Sequence, residues 1–261
     1  SGKTTSLSAV SLFIPYKAKI VTLEDTREIR LPHPNWIADV TRVSASGTTG
    51  DVDMYRLLKS ALRQRPEYLL VGEVRGEEAL TLFQAMSTGH TTFSTMHADA
   101  VDTAIRRLEN PPINVPRGML EALDILSIQA QTFVNEERVR RNLMLTEIIG
   151  IDISTRNIKT TDVFKWDPVC DESYRSGNSF VTDAIGKFRG WSAEKLEEEL
   201  NKRRIVLEFM LNKDIRDFET ITKVIHDFQT NPEKVMRWIN LDAWRKLGEK
   251  SRSRAGSAVV T

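Results

Sequence analysis

The sequence predicts an α/β fold built on a mostly parallel sheet, with an antiparallel β-meander and a helical C-terminal region behind it. Three observations carry that expectation. Short apolar, β-branched runs lead into polar or acidic residues at Lys19-Ile20-Val21-Thr22-Leu23, Tyr68-Leu69-Leu70-Val71 and Thr91-Thr92-Phe93-Ser94-Thr95-Met96, as buried strands of a parallel sheet do. Stretches of helical period alternate with them, which is the βαβα order of a doubly wound core. Ahead of them stands Ser1-Gly2-Lys3-Thr4-Thr5, the second half of the pattern G-x-x-x-x-G-K-[ST] at a helix start.

Between the first two runs, Met54, Leu57, Leu58, Ala61 and Leu62 recur at helical spacing behind the potential N-caps Asp51 and Asp53. Glu77 to Ser87 reads as a second helix, closing near Gly89. From Ile125 the pattern changes to strands: Ile125 to Val134, a tight polar turn at Asn135-Glu136-Glu137, Arg138 to Ile153, and Ile158 to Trp166. A polar linker, Asp171 to Ser179, precedes a helix that Ser192 caps and that runs to about Leu211. Its acids come early and its bases late, matching the helix dipole. Phe218, Ile221, Ile225 and Phe228 line the next helix, and Asn231-Pro232 starts the last. The expected division is a core over 1–124, antiparallel strands over 125–170, helices over 171–248 and a disordered tail over 249–261.

Composition narrows the function. Lys and Arg number 37 against 36 Asp and Glu, so no net field draws the chain to nucleic acid, and no nucleic-acid partner is expected. A single cysteine, Cys170, excludes an internal disulfide and a multi-cysteine zinc site. No apolar run approaches the roughly 18 residues of a membrane span, so the expectation is a cytoplasmic protein.

In a phosphate-binding loop, backbone amides cradle the phosphates, the Lys reaches the β and γ oxygens and the Ser/Thr hydroxyl holds Mg²⁺. Ser1, Gly2, Lys3, Thr4 and Thr5 are the corresponding candidates for binding ATP, with Thr4 on the metal. Ligands of a doubly wound sheet sit at the carboxyl ends of its strands, where Glu24, Glu73 and His97 emerge. Glu73 is assigned to Mg²⁺ through coordinated water, and Glu24 is then the candidate general base. Glu24-Asp25 standing alone would read rather as a solvated turn or an N-cap, and the neighbouring motifs reverse that reading. His97 would sense the terminal phosphate, with His90 as a second candidate. Arg75, Arg63 and Arg65 would reach phosphate or a neighbouring subunit's site, unless they form surface ion pairs.

Leu23-Glu24-Asp25-Thr26, Leu31-Pro32-His33-Pro34-Asn35-Trp36, Ala61-Leu62-Arg63-Gln64-Arg65-Pro66, Val71 to Ala79 and the run between His90 and His97 together resemble the type II/IV secretion ATPases. More narrowly they look like the archaeal branch, with the archaellum motor and archaeal pilus-assembly ATPases. The absence of a four-cysteine module favours that branch. The resemblance covers residues 1 to about 245 and implies a RecA-like core in which Lys3-Thr4 is a Walker A remnant and Gly72-Glu73 an atypical Walker B. Glu24 would be the catalytic acid of an Asp box and His90 to His97 a His box. It also implies a cytoplasmic homohexamer peripheral to the membrane, docked on an integral-membrane platform protein and moving pilin-like subunits. A DNA-translocating ring of the conjugation type and a non-hydrolysing nucleotide-binding scaffold are the alternatives.

Set against that family, the chain begins within the loop. The expectation is a fragment that binds ATP poorly and does not turn it over. The break before Ser1 resembles an intein insertion point.

Overall fold

The computed structural model describes residues 2–42 and 51–240. Ser1, the end of the predicted helical region at 241–248 and the predicted tail at 249–261 lie outside them. The chain divides into two compact units, Ser1–Ser11 with Lys17–Ala184 and Leu12–Tyr16 with Ile185–Thr261.

The α/β core expected from the sequence is present. Strands β1 (Ile20–Glu24), β2 (Trp36–Val40), β3 (Tyr68–Val71) and β4 (Thr91–Ser94) form a sheet in the order β2-β1-β3-β4. Every pairing in it is parallel. Leu23 lies opposite both Asp39 and Val71, and Val71 opposite Ser94, so the carboxyl ends of β1, β3 and β4 open on one edge. β1 is buried along its whole length, as a central strand flanked on both sides requires. β2 was not expected from the sequence. Its Trp-Ile-Ala-Asp-Val run is half-buried throughout, an edge strand whose pairing, rather than its pattern, makes it a strand.

Helix α1 (Lys3–Ser11) follows Gly2 directly. Helix α2 (Met54–Arg63) starts where Asp53 accepts the Arg56 N–H at 2.7 Å. It packs with α3 (Glu78–Ser87) on the sheet, and Leu58, Ala61, Leu69, Val71, Ala79 and Leu82 form the buried centre of that layer. Helix α4 (Val101–Glu109) and a 3-10 turn at Arg117–Ala122 complete the side.

The meander is also present, as a second, antiparallel sheet in the same unit: β5 (Ile125–Val134), β6 (Glu137–Ile151), β7 (Ile158–Asp167) and β8 (Glu172–Arg175), paired in that order. The two-residue turn between β5 and β6 holds Asn135 at φ 49° and Glu136 at φ 67°, the left-handed pair that matches the twist of a tight hairpin. The linker expected over 171–179 contains β8, whose four exposed residues carry no apolar alternation. Helix α5 (Phe180–Arg189) begins where the buried Glu147 carboxylate accepts the N–H groups of Phe180 at 2.7 Å and Val181 at 3.2 Å. An acid at a helix N-terminus satisfies donors that the helix itself leaves over.

In the second unit, α6 (Ala193–Asn212), α7 (Phe218–Thr230) and α8 (Pro232–Asn240) pack around Val206, Met210, Val224, Ile225, Phe228 and Val235. The sequence-read caps Ser192 and Asn231 are formed, accepting from Lys195 at 3.3 Å and from Lys234 at 3.0 Å, and Asp217 caps α7 by accepting from Thr220 at 2.8 Å. Lys202 is ringed by Glu198, Glu199 and Glu233, and Glu198 first, then Glu233, raise its pKa.

Candidate functional site

At the carboxyl edge of the parallel sheet lies a cavity of about 450 Å³, in the size range of small-molecule sites. It is lined by Gly2, Lys3, Thr4 and Thr5, by Glu24, Asp25, Thr26 and Glu28, by Gly72, Glu73 and Arg75, and by Thr95, His97 and Arg140. These come from three places: the start of α1, the loops leaving β1, β3 and β4, and strand β6.

The first wall is a helix N-terminus. Gly2 holds φ at +92°, a conformation costly for any residue with a Cβ. The Ser6 N–H bonds Gly2 O at 2.9 Å, so the amides of Lys3, Thr4 and Thr5 stand in the first turn, where a helix has no carbonyl to offer them. Such a turn attracts anions.

The second wall is acidic. Glu24 is only 3% exposed. Its Oε1 accepts the N–H groups of Glu28 and Ile29, each at 3.0 Å, so the chain after β1 folds back to hold the carboxylate. Gly72 N–H bonds Leu23 O at 2.8 Å and Gly72 O accepts Thr95 Oγ1 at 2.6 Å, which binds the ends of the three strands together. Gly72 lets Glu24 lie where it does, because a Cβ there would stand 3.2 Å from Glu24 Cγ. The glycine at the atypical position is thus explained by close approach.

Glu73 joins the remaining side chains. Arg75 Nε donates to Glu73 Oε2 at 2.8 Å and its terminal nitrogen bonds the same oxygen. A longer contact of 3.8 Å links Arg75 to Asp25. Glu73 thereby raises the guanidinium's pKa, and Asp25 adds a smaller push. Glu78 closes this turn by accepting the N–H groups of Arg75 at 2.6 Å and Gly76 at 2.9 Å. His97 Nε2 lies 2.9 Å from Glu73 Oε1 and its Nδ1 lies 3.3 Å from Lys3 Nζ. An ammonium only donates, so in this contact Nδ1 is the acceptor. The order Lys3, His97, Glu73, Arg75 is therefore a run of alternating electrostatic partners across the cavity.

Two buried carboxylate oxygens here, Glu24 Oε2 and Glu73 Oε1, make no hydrogen bond. Buried oxygens of this kind want a proton donor or a cation. Among the described residues no group of three or more His, Cys, Asp or Glu forms a metal cage. The donor set instead suits Mg²⁺, which takes one or two carboxylates and completes its shell with water and phosphate. Thr4 lines the same cavity and offers the hydroxyl.

Of the residues singled out in the sequence, the structure brings Gly2, Lys3, Thr4, Thr5, Glu24, Glu73, Arg75 and His97 to one cavity. Ser1 lies outside the described residues. His90 is not brought there. It precedes β4 while His97 follows it, so four strand residues, roughly 13 Å, intervene, and His90 instead contacts Thr88 at 3.4 Å. Arg63 ends α2 and Arg65 precedes β3, which puts both at the amino end of that strand rather than the carboxyl end. Sequence reasoning missed Arg140 and Glu28. Glu28 follows the Glu24-Asp25 pair closely enough to have been included, whereas nothing local ties an arginine in the meander to the phosphate loop.

Among the described residues no helix is long and apolar enough to cross a membrane. Comparison with known proteins places these features in a family. The model of the family described as "Type II/IV secretion system protein" matches residues 1–237. The protein MJ1287 of Methanocaldococcus jannaschii is 46% identical over 231 residues, covering 88% of this chain and 84% of its own. The type IV secretion system protein PtlH of Bordetella pertussis is 43% identical over 110 residues, 41% of this chain and 32% of its own. A crystal structure of the VirB11 ATPase from the Brucella suis type IV secretion system is 27% identical, with a TM-score of 0.47, over 55% of this chain and 44% of that one. The chain thus spans most of the first relative and less than half of the other two proteins. With its α/β core and a family match over residues 1–237, into the last described helix, the chain belongs to the type II/IV secretion system protein family.

Proposed function

We propose that the protein is an ATPase of a secretion or pilus-type machine, which hydrolyses MgATP in the cavity bounded by Lys3, Glu24, Glu73 and His97. The observation that supports this most is that these four side chains, far apart in sequence, line one cavity at the start of α1. Family membership supports the same reading.

In this reading the first-turn amides after Gly2 and the Lys3 ammonium bind phosphate, with Thr5 beside them. The Thr4 hydroxyl and Glu73 would hold Mg²⁺, which when bound would supply positive charge beside the phosphates. Glu24 takes a proton from the attacking water at Oε2, while the two amides on Oε1 fix its orientation. Lys3 leaves His97 for phosphate, and His97 follows by donating to a terminal phosphate oxygen from the edge of β4. Arg75 stays on Glu73 and limits how far that carboxylate moves. A unit charge 4 Å from another is worth about 4 kcal/mol at an effective dielectric near 20, so Lys3 carries much of the binding.

We also infer the finer features that the family resemblance implies: a homohexameric ring, cytoplasmic and peripheral to the membrane, docked on an integral-membrane platform protein. Pilin-like subunits, of an archaellum, a pilus or a secretion system, are its indirect cargo. The reading is tested by titrating MgATP and following phosphate release in the full-length protein, native and Lys3→Ala. Loss of binding and turnover in the variant is expected. Equal behaviour of the two would remove the reading.

A further inference from the structure

We propose that Arg140 is a phosphate ligand of the same site, delivered from the antiparallel sheet rather than from the parallel one; this rests on the nucleotide reading above. Three observations carry it.

The first is position. Arg140 lines the cavity, and its side chain crosses Gly2 so closely that a Cβ on the glycine would stand 3.3 Å from Arg140 Cδ and 3.9 Å from its Cβ. The guanidinium stem therefore runs along the backbone that cradles phosphate.

The second is the strand. Successive side chains of β6 point to opposite faces. Arg141 takes the face toward Asp171, to which it donates at 2.7 Å and 2.6 Å. That leaves Arg140 on the other face, toward α1.

The third is charge. The cavity's acids are Glu24, Asp25, Glu28 and Glu73, and its bases are Lys3, Arg75 and Arg140. A polyphosphate entering this set meets net negative charge and needs cations that acids have not claimed. Arg75 is committed to Glu73 and Asp25, and Lys3 contacts His97. Among the described residues the Arg140 guanidinium has no ion pair or hydrogen bond. Its planar fork matches phosphate oxygens two at a time. Glu24 and Glu73 would thus act from the parallel sheet on the water and the metal, and Arg140 from the other sheet on the phosphates.

The experiment is calorimetric titration, extended to millimolar ligand, of the native chain, Arg140→Ala, Arg140→Lys and Lys3→Ala with MgADP and with magnesium tripolyphosphate. Arg140→Ala should weaken both ligands about 10- to 100-fold, the range of a lost charge-assisted hydrogen bond. Arg140→Lys should fall between, keeping the charge and losing the fork. The thermal midpoint without ligand should not move. An Arg140→Ala chain that binds both ligands like the native one, while Lys3→Ala is impaired, overturns the inference and leaves the nucleotide reading standing. Weakened MgADP with unchanged tripolyphosphate would mean that the arginine reads base or ribose, which also overturns it. A native chain that takes neither ligand, or a Lys3→Ala chain indistinguishable from it, removes the nucleotide reading and this inference together.

Discussion

Gly72 and Glu24 occupy space that a single methyl group would contest: a Cβ on Gly72 would lie 3.2 Å from Glu24 Cγ and 3.5 Å from Leu23 O. Glu24 has little freedom to yield, since Glu28 and Ile29 hold its Oε1. Gly72→Ala should therefore displace the carboxylate by a few tenths of an ångström. A small misplacement near reacting atoms costs rate disproportionately; kcat is expected to fall about tenfold or more, with nucleotide affinity nearly kept. Unchanged kcat in a steady-state assay would show that the close approach has no bearing on the chemistry.

Glu24→Gln and Glu73→Gln should separate base from metal carrier. A glutamine at 24 can still accept the two backbone N–H groups through its amide oxygen but has no basic oxygen for water. Its kcat should drop about 10²- to 10⁴-fold with MgATP still bound. Glu73→Gln should instead raise the Mg²⁺ concentration needed for half-maximal rate. A Mg²⁺ titration of both variants distinguishes them, and wild-type turnover by Glu24→Gln would overturn its proposed role as base.

His97 and His90 offer a contrast within one strand. His97→Ala removes the group between Lys3 and Glu73 and should lower kcat about 10-fold or more. His90→Ala, at the other end of β4, should leave kcat within twofold. Equal losses would mean that the separation seen along β4 does not hold in the working protein.

Away from the site, Arg141 and the Trp166 indole N–H hold the Asp171 carboxyl down to about 2. A carboxyl depressed in the folded state contributes stability above its unfolded value, near 3.9, and loses it as pH falls through the folded value. The thermal midpoint of Asp171→Asn should therefore lie below that of the native chain at pH 6, and the gap should close between pH 4 and pH 2. A gap that persists at pH 2 would show that charge is not the source.

Phe228 is a packing test in the second unit. It is buried among Val206, Met210, Val224 and Ile225, and removing its ring should destabilise that unit by about 3 to 5 kcal/mol. Hydrogen exchange should show faster opening of α6, α7 and α8, with the β1 and β3 amides unchanged.

The sequence by itself determined the strands β1, β3 and β4, helices α2, α3 and α6 to α8, and the meander. Apolar period, caps and turn residues are local signals, set by a few neighbouring positions. It also supplied the chemical types at the site, since Gly2-Lys3-Thr4, Glu24, Glu73 and His97 each stand beside a strand or helix end readable from the chain alone. Only the tertiary structure decided what meets. β2 and β8 are strands because of partners that their own patterns do not reveal, and His90 is parted from His97 by the length of β4. Gly72 must be small because of Glu24, and Arg140 reaches Gly2 because β6 carries it there. These are contacts between segments distant in sequence, governed by strand register and by which sheet lies beside Gly2, and no local pattern of residues encodes them.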